Sequence, residues 1–451
     1  MNKPVDIANE MTPEPEICPV EAYVSEEYAR AERDRLWRKV WLQAGRLEDL
    51  PEVGNYITYD ILDDSVLIVR TAPNTVKAYH NVCTHRGRRL VDTPKGCRNA
   101  RGKKMNFVCG FHAWTFDLEG HCSHIAEKDD WKGALTDERT RLGQVKLDTW
   151  GGWVWINLDP NCEPLRDYLE PAAGMLDPFQ LQNMRPRWRK WTIFDCNWKV
   201  ALEAFDETYH VPGTHPEFMA FGDFVGWGKP QGKHSYIGYD APKGLEENSA
   251  KLRLGAGGDP RITTAKMQDY TWNGVNTNTT LTLVNAAKRL KDELPEGTPA
   301  PVVLKHWLDS ARADDEKRGV FWPKVDPAHV AASGTAWQIF PNQQIGHAVN
   351  NMLCYQARPY GYNPDKCYFE VAVYELYPEG QAPETAWDYA DPKDFPRVLL
   401  QDFSNMAAVQ QGMKNVGYRG NIPNPKAEGA VLSLHRNLAK YMGTGAPRPI
   451  K

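Results

Sequence analysis

The sequence predicts an α+β protein of two packed units, a small antiparallel β domain followed by a larger domain mixing sheet and helices. Three observations lead there. A chain of 451 residues is too long for one ordinary domain and implies two or three. Between residues 41 and 160, short alternating apolar and polar runs are punctuated by turn pairs such as Asp63-Asp64 and Pro73-Asn74. Beyond Pro160, helix-like and strand-like segments are mixed, and no repeat, low-complexity tract or Gly/Ser linker separates the halves.

In chain order, residues 1–20 are punctuated by Pro4, Pro13, Pro15 and Pro19 and read as extended. Ser25-Glu26-Glu27 then opens a helix over 25–40, its acidic residues suiting the positive end, and segment 1–40 is expected to pack on the larger domain. The small domain takes 41–160, with strands across 56–82 and the run WVWINL within 151–158. The larger domain takes 161–451, with helices expected over 198–210, 304–317 and 394–414 and a strand over 368–376. Residues 228–300 carry the weakest pattern, and Gly255-Ala256-Gly257-Gly258 reads only as a Gly-rich turn.

Composition narrows the function. Hydrophobic residues make up 41% and charged residues 25%, which excludes a disordered chain. With 58 acidic against 54 basic residues the net charge is −4, and no basic block exceeds Arg101-Gly102-Lys103-Lys104, so nucleic acid is not the expected partner. The start has no apolar leader and no run of about 18 apolar residues occurs, so the expected location is cytoplasmic. Nine Cys at irregular spacing fit reduced thiols and metal ligands better than a disulfide framework.

Two polar constellations carry the chemistry. In the first, Cys83-Thr84-His85 is followed after 23 residues by Cys109-Gly110-Phe111-His112, so each of two short loops supplies one thiol and one imidazole. A Rieske [2Fe–2S] centre needs two thiolates on one iron and two imidazoles on the other, which this pairing provides. Zinc also accepts two Cys and two His, but its motifs pair like with like in each half. In the second, an apolar helix leads into Asp206-Glu207-Thr208-Tyr209-His210-Val211-Pro212-Gly213-Thr214-His215. Pro212 and Gly213 end or distort that helix, letting His210 and His215 turn toward one point as two ligands of a 2-His-1-carboxylate iron site, whose carboxylate must be distant.

The flanks HNVCTHRG and CGFHAWTFDLEG resemble the cluster loops of Rieske-type non-haem iron oxygenases, the family of aromatic ring-hydroxylating dioxygenase large (alpha) subunits, and the 206–215 run resembles that family's mononuclear iron motif. The resemblance implies a Rieske [2Fe–2S] domain at 41–160 and, at 161–451, a catalytic domain whose antiparallel sheet is flanked by helices in a helix-grip, START-like arrangement. It implies Cys83, His85, Cys109 and His112 as cluster ligands and His210, His215 and Asp402 as ligands of Fe(II), Asp402 being preferred to Asp394. Where most of the family carries Asp, Glu207 stands as the carboxylate bridging His210 to His112 of a neighbouring subunit, with Asp206 as the fallback; Glu here is shared with carnitine monooxygenase and its quaternary-ammonium relatives.

The implied activity is that of a terminal oxygenase that uses O2 and NAD(P)H-derived electrons to hydroxylate an aromatic or apolar compound in bacterial catabolism. Oxidative N- or O-demethylation and quaternary-ammonium monooxygenation are the alternatives, and an electron-transfer or zinc-binding module is the non-enzymatic one. The chain lacks a ferredoxin Cys₄ pattern and a dinucleotide fingerprint, so electrons must come from a flavin-dependent reductase, with or without a ferredoxin. The resemblance also implies a homotrimer, or three such chains capped by three small β subunits. The stretch LVDTPKGCRNARGKK between the cluster motifs exceeds the family's usual length and reads as a solvated loop with Cys97 incidental, its basic residues facing an acidic electron donor as a less favoured use. His121 and His124 have no matching role. Phe205, Phe218, Met219 and Phe221 are candidate pocket residues, the strand from Trp337 resembles the family's wall strand, and Asn350 or Asn351 could face a substrate.

Overall fold

The computed structural model describes residues 14–221, 226–239 and 258–450. The extended reading of 1–13, the Gly-rich turn at 255–257 and the Met219 side chain lie outside the described residues. Two antiparallel sheets dominate. The first has seven strands, ordered Leu42–Arg46, Trp153–Asn157, Gln144–Trp150, Thr75–His80, Asp64–Ala72, Asn55–Ile61 and Arg101–Lys103. Alternation fixes its register: Ile57, Tyr59 and Ile61 are buried, and Ile57 pairs with Ile68 and Tyr59 with Val66. The turn before Asp64 starts one residue earlier than expected, at Leu62, which takes a left-handed φ of 52°. A three-stranded sheet of Asn106–Val108, Thr115–Asp117 and Cys122–His124 sits beside it.

The second large sheet has eight strands: Gly226–Gln231, His234–Tyr239, Ala336–Ile339, Gln343–His347, Asn351–Tyr360, Asn363–Glu375, Arg185–Phe194 and Trp387–Tyr389, antiparallel except for the last pair. Eight helices concern the site: α1 (Glu26–Glu32), α2 (Trp198–Glu203), α3 (Val211–Thr214), α4 (Pro260–Gly274), α5 (Leu281–Glu293), α6 (Ala300–Lys317), α7 (Arg397–Gly412) and α8 (Gly429–Met442). α2 lies on strands Asn351–Tyr360 and Asn363–Glu375 with α7 against it, α8 covers Gly226–Gln231, and α4 to α6 form a lobe of their own. The approach of α8 requires glycine, since a Cβ on Gly429 would collide with the Gly228 carbonyl. Among the described residues no helix is long and apolar enough to cross a membrane.

Three helices are shorter than the pattern suggests. Ser25 accepts from the Tyr28 N–H to start α1, but the helix widens into a π turn over Arg33–Trp37 instead of continuing to 40, setting Leu36 and Trp37 into the core. α2 stops at Glu203 rather than 210. There the Glu207 carboxylate takes the Tyr209 and His210 N–H groups, which a continuing helix would need for itself. α7 begins at Arg397 rather than 394, because Pro396 disfavours helix in the residue before it and is itself a good start.

One core spans both sheets: Tyr59, Ile61 and Trp155 belong to the same buried cluster as Val371, Val373 and Tyr374. Buried charges stitch the seam. Arg189 reaches Asp49 at 2.8 Å, and Arg46 donates to the Gly151 and Met184 carbonyls. The stretch between the cluster motifs, expected as a solvated loop, is only partly one. Leu90, Val91 and Ala100 are buried, and Arg98 puts its guanidinium 2.6 Å from Glu370 of the large sheet and over the Trp387 ring, while Cys97 stays exposed. Glu370 also receives Arg358 at 2.6 Å, so one carboxylate serves two guanidinium groups. A solvated loop would leave Glu370, buried in the large sheet, with Arg358 alone.

Candidate functional site

Two matched turns bring the first four residues together. The Cys83 N–H donates to the Arg88 carbonyl and the Gly87 N–H to the Cys83 carbonyl; likewise the Cys109 N–H donates to Trp114 and the Ala113 N–H to Cys109. Each turn closes through a left-handed residue at the fifth position, Gly87 at φ 76° and Ala113 at φ 54°. His85 and His112 project from these turns with ring centroids 4.7 Å apart, and Trp114 stacks beneath His85 at 4.8 Å. Cys83 and Cys109 are buried with their thiols in hydrogen-bonding reach of each other. Burial pushes the Cys83 thiol up, against backbone N–H groups of His85 and Arg86. Cys109 also resists ionisation through burial, but the N–H groups of Phe111 and His112 and the Arg88 charge bring it below its ordinary value.

This set fits a two-iron cluster better than a single ion. Thiols pair below, imidazoles pair at the rim, and no three of the four offer ligand atoms within 4.8 Å of one another. A tetrahedral zinc cage has all four donors at about 2.0–2.3 Å from one centre. His121 lies outside the set, paired with Asp137 at 2.8 Å, and His124 is exposed.

Among the described residues, one group does bring three ligand atoms within 4.8 Å: His210, His215 and Asp402. His210 precedes α3 and His215 closes it, so the two imidazoles bracket a single helical turn, while α7 brings in Asp402 from far along the chain. Asp402 Oδ1 lies 2.8 Å from His215 Nε2 and 3.3 Å from His210 Nε2. Burial opposes the charge on Asp402, but hydrogen bonds from both imidazoles hold its carboxyl below the usual range. His210 is pushed up to about 10, burial opposing and the Asp402 and Glu207 carboxylates prevailing. Two imidazole nitrogens and one carboxylate oxygen on one side of a point suit a divalent ion with positions left for other ligands.

Glu207 Oε1 contacts His210 Nδ1 at 2.6 Å, while its Oε2 accepts the Tyr209 and His210 N–H groups. Asp206 plays no such part: it is fully buried, neither carboxylate oxygen has a hydrogen-bond partner, and burial beside Glu203 and Glu207 raises its carboxyl well above the usual range. Asp394 belongs to a separate 3-10 turn, Pro392–Asp394. Phe205 stacks on Tyr355 at 4.0 Å and Phe369 at 5.4 Å, inside the core, whereas Phe218 and Phe221 pack on Tyr270 of α4. Asn350 and Asn351 are buried; Asn351 donates to Asn350, which reaches Thr280 at 3.5 Å. Sequence reasoning missed Gln401, which accepts at His215 Nδ1 at 2.9 Å; only its place beside Asp402 hinted at it.

Residues 180–444 match the family described as ring hydroxylating alpha subunit (catalytic domain), more than half of the chain. The chain belongs to this family. Residues 40–136 match the Rieske [2Fe-2S] domain, so the chain joins a cluster domain to this catalytic domain. Similar curated proteins are the glycine betaine monooxygenase oxygenase subunit of Pseudomonas aeruginosa (strain UCBPP-PA14), 31% identical over 44% of each chain, and the carnitine monooxygenase oxygenase subunit of Escherichia coli (strain K12), 28% identical over 44% of this chain and 52% of that one. The matches thus span about half the length of those relatives. Among solved structures, the quaternary ammonium Rieske monooxygenase CntA with L-carnitine superposes with a TM-score of 0.61 at 18% identity, over 95% of this chain and 96% of that one. Naphthalene 1,2-dioxygenase with indole bound does so with 0.61 at 17%, over 99% and 96%. At these identities the likeness is one of fold.

Proposed function

We propose that this chain is the terminal oxygenase of a multicomponent Rieske system, with Cys83, His85, Cys109 and His112 holding the [2Fe–2S] cluster and His210, His215 and Asp402 holding Fe(II). The observation that carries this reading is the presence in one chain of two unlike donor sets, one spread for a cluster and one converging for a single ion. When bound, the cluster supplies electrons and the mononuclear iron the binding and activation of O2. The residues of the chain have separate tasks. Glu207 orients His210 through Nδ1, and the stacked Trp114 fixes the plane of His85. Electrons come from NAD(P)H through a flavin-dependent reductase, with or without a ferredoxin.

Assembly as a head-to-tail ring of three, with or without small β subunits, and a cytoplasmic location belong to the same proposal. A groove of about 340 Å³ between α2 and α7 is lined by Glu203, Glu207, Asp402 and Glu428, with Val409, Tyr418 and Ile422 exposed at its mouth. The cluster tip carries the complement: exposed Val108 and Phe111 flank Cys109, with Arg86 over the Phe111 ring and Arg88 beside Gly110. Glu207 lines that groove, and its Oε1 keeps one lone pair for a second imidazole, which suits a bridge to His112 of a neighbour.

Hydroxylation of an aromatic or apolar compound is the first substrate reading. Quaternary-ammonium oxidation is the second, favoured by Glu207 and by the glycine betaine and carnitine enzymes among the relatives. The test is turnover with a reductase, NADH and labelled O2 in the presence of glycine betaine, carnitine, naphthalene or indole. Substrate-dependent NADH use and label in a product support an oxygenase and choose its class. NADH use that no organic compound accelerates, with the whole series tried, counts against it.

A further inference from the structure

His210 and His215 present Nε2 to the same oxygen of Asp402, and each has its Nδ1 engaged by another side chain. The two partners differ. His210 meets the Glu207 carboxylate, which can only accept, so its Nδ1 keeps a proton and Nε2 is the nitrogen left to offer a lone pair once it no longer donates to Asp402. His215 meets Gln401, whose amide has an accepting and a donating end of nearly the same shape. Only the accepting end leaves a lone pair on Nε2; the donating end would put the ring proton on Nε2, where it excludes a metal.

The neighbours of Gln401 decide which end faces the ring. Its Nε2 donates to Glu217 Oε1 at 2.9 Å, and the same oxygen accepts from the Tyr270 hydroxyl at 2.8 Å and lies 3.3 Å from Arg397 Nη2. Reversing the amide would set its oxygen against a Glu217 oxygen with no donor between them and lose the hydrogen bond to Glu217, which Tyr270 and Arg397 hold in place. Because Gln401 and Asp402 are consecutive on α7, the same helical turn holds His215 by both ring nitrogens.

We propose that Gln401 is the positioning residue for His215, locked by Glu217 in the orientation that turns the Nε2 lone pair toward the metal. The proposal rests on the reading of His215 as an iron ligand. It also gives the two imidazoles different characters: an anionic acceptor on His210 makes that ring the stronger donor, and the neutral amide leaves His215 the weaker one. Tyr270 belongs to α4, so the helical lobe is tied to His215 through Glu217 and Gln401.

The test is Fe(II) affinity of the mononuclear site, by anaerobic equilibrium dialysis of cluster-bearing protein after chelator treatment, with circular dichroism confirming the fold. Gln401→Leu is expected to weaken Fe(II) binding by about 10-fold and the isosteric Glu217→Gln by about 3-fold, because the amide loses its single orientation. The exchanged pair Gln401→Glu with Glu217→Gln again places an acceptor at Nδ1 and a donor beside it, and is expected to restore affinity to within about 3-fold. A packing role would not be restored by that exchange. Unchanged affinity in Gln401→Leu, or an exchanged pair no better than Gln401→Leu, overturns the proposal, provided that His215→Ala loses the metal. If His215→Ala binds Fe(II) as well as the natural chain, the ligand assignment fails instead.

Discussion

Glu207 shows how one added methylene is used. The longer side chain folds back to accept two backbone N–H groups with Oε2 while Oε1 meets His210 Nδ1, so one carboxylate both ends α2 and orients the His210 ring. Glu207→Gln loses the charge and one of the two acceptor oxygens. It should retain cluster and mononuclear iron, yet slow electron transfer between them by about 100-fold in single-turnover kinetics. His210→Ala should abolish turnover and lose the mononuclear iron while the visible spectrum of the cluster persists; loss of that spectrum as well would point to misfolding. A third residue sets acid stability. His234 is buried, bonded to the Tyr168 carbonyl and the Phe340 N–H, and burial lowers it to about 4. The unfolded chain binds that proton near pH 6.5 and the folded one only near 4, so its contribution is full above pH 6.5 and fades as pH falls toward 4. Urea unfolding at pH 7 and pH 4 should differ by up to about 3 kcal/mol more in the natural chain than in His234→Gln.

At the scale of elements, the cluster loops were legible because their chemistry lies within a few residues: C-x-H and C-x-x-H each fit one five-residue turn. The His210 to His215 run was legible as a pair, but Pro212 and Gly213 do not end the preceding helix as their types suggest: both lie inside α3, and the break falls before His210, where Glu207 takes the backbone N–H groups. Long-range partners were not legible. Gln401 and Glu217 acquire meaning only when α7 meets the residues after α3, and no local spacing encodes that meeting. The stretch between the cluster motifs misled for a related reason. Its basic composition suits a solvated loop, but Arg98 is matched by Glu370, which lies 272 positions away on a strand of the other sheet. Arg98→Met should destabilise the fold by about 2 kcal/mol in urea unfolding, less than for an isolated buried pair, because Arg358 still neutralises Glu370. Two of the three helix boundaries that shifted did so where a side chain took backbone N–H groups, at Glu207, or where Pro396 set the start, and the third where α1 widens into the π turn over Arg33–Trp37.

For the whole molecule, the sheets share a core and buried ion pairs cross between them, so the cluster loops and the triad sit on one continuous framework. The α+β class was readable from texture alone, since alternating short strands in 41–160 and mixed elements beyond need no knowledge of long-range contacts. Sheet order in the larger unit was not, because Arg185–Phe194 pairs with Asn363–Glu375 across most of that domain. The central claim is that one chain holds two unlike iron sites. Its most direct test is to purify the protein without air, quantify iron, zinc and acid-labile sulfide, and record the electron paramagnetic resonance spectrum after dithionite reduction. About three irons and about two sulfides per chain, with a Rieske-type reduced signal, is the predicted result. Zinc without sulfide, in protein made with ample iron, would contradict it.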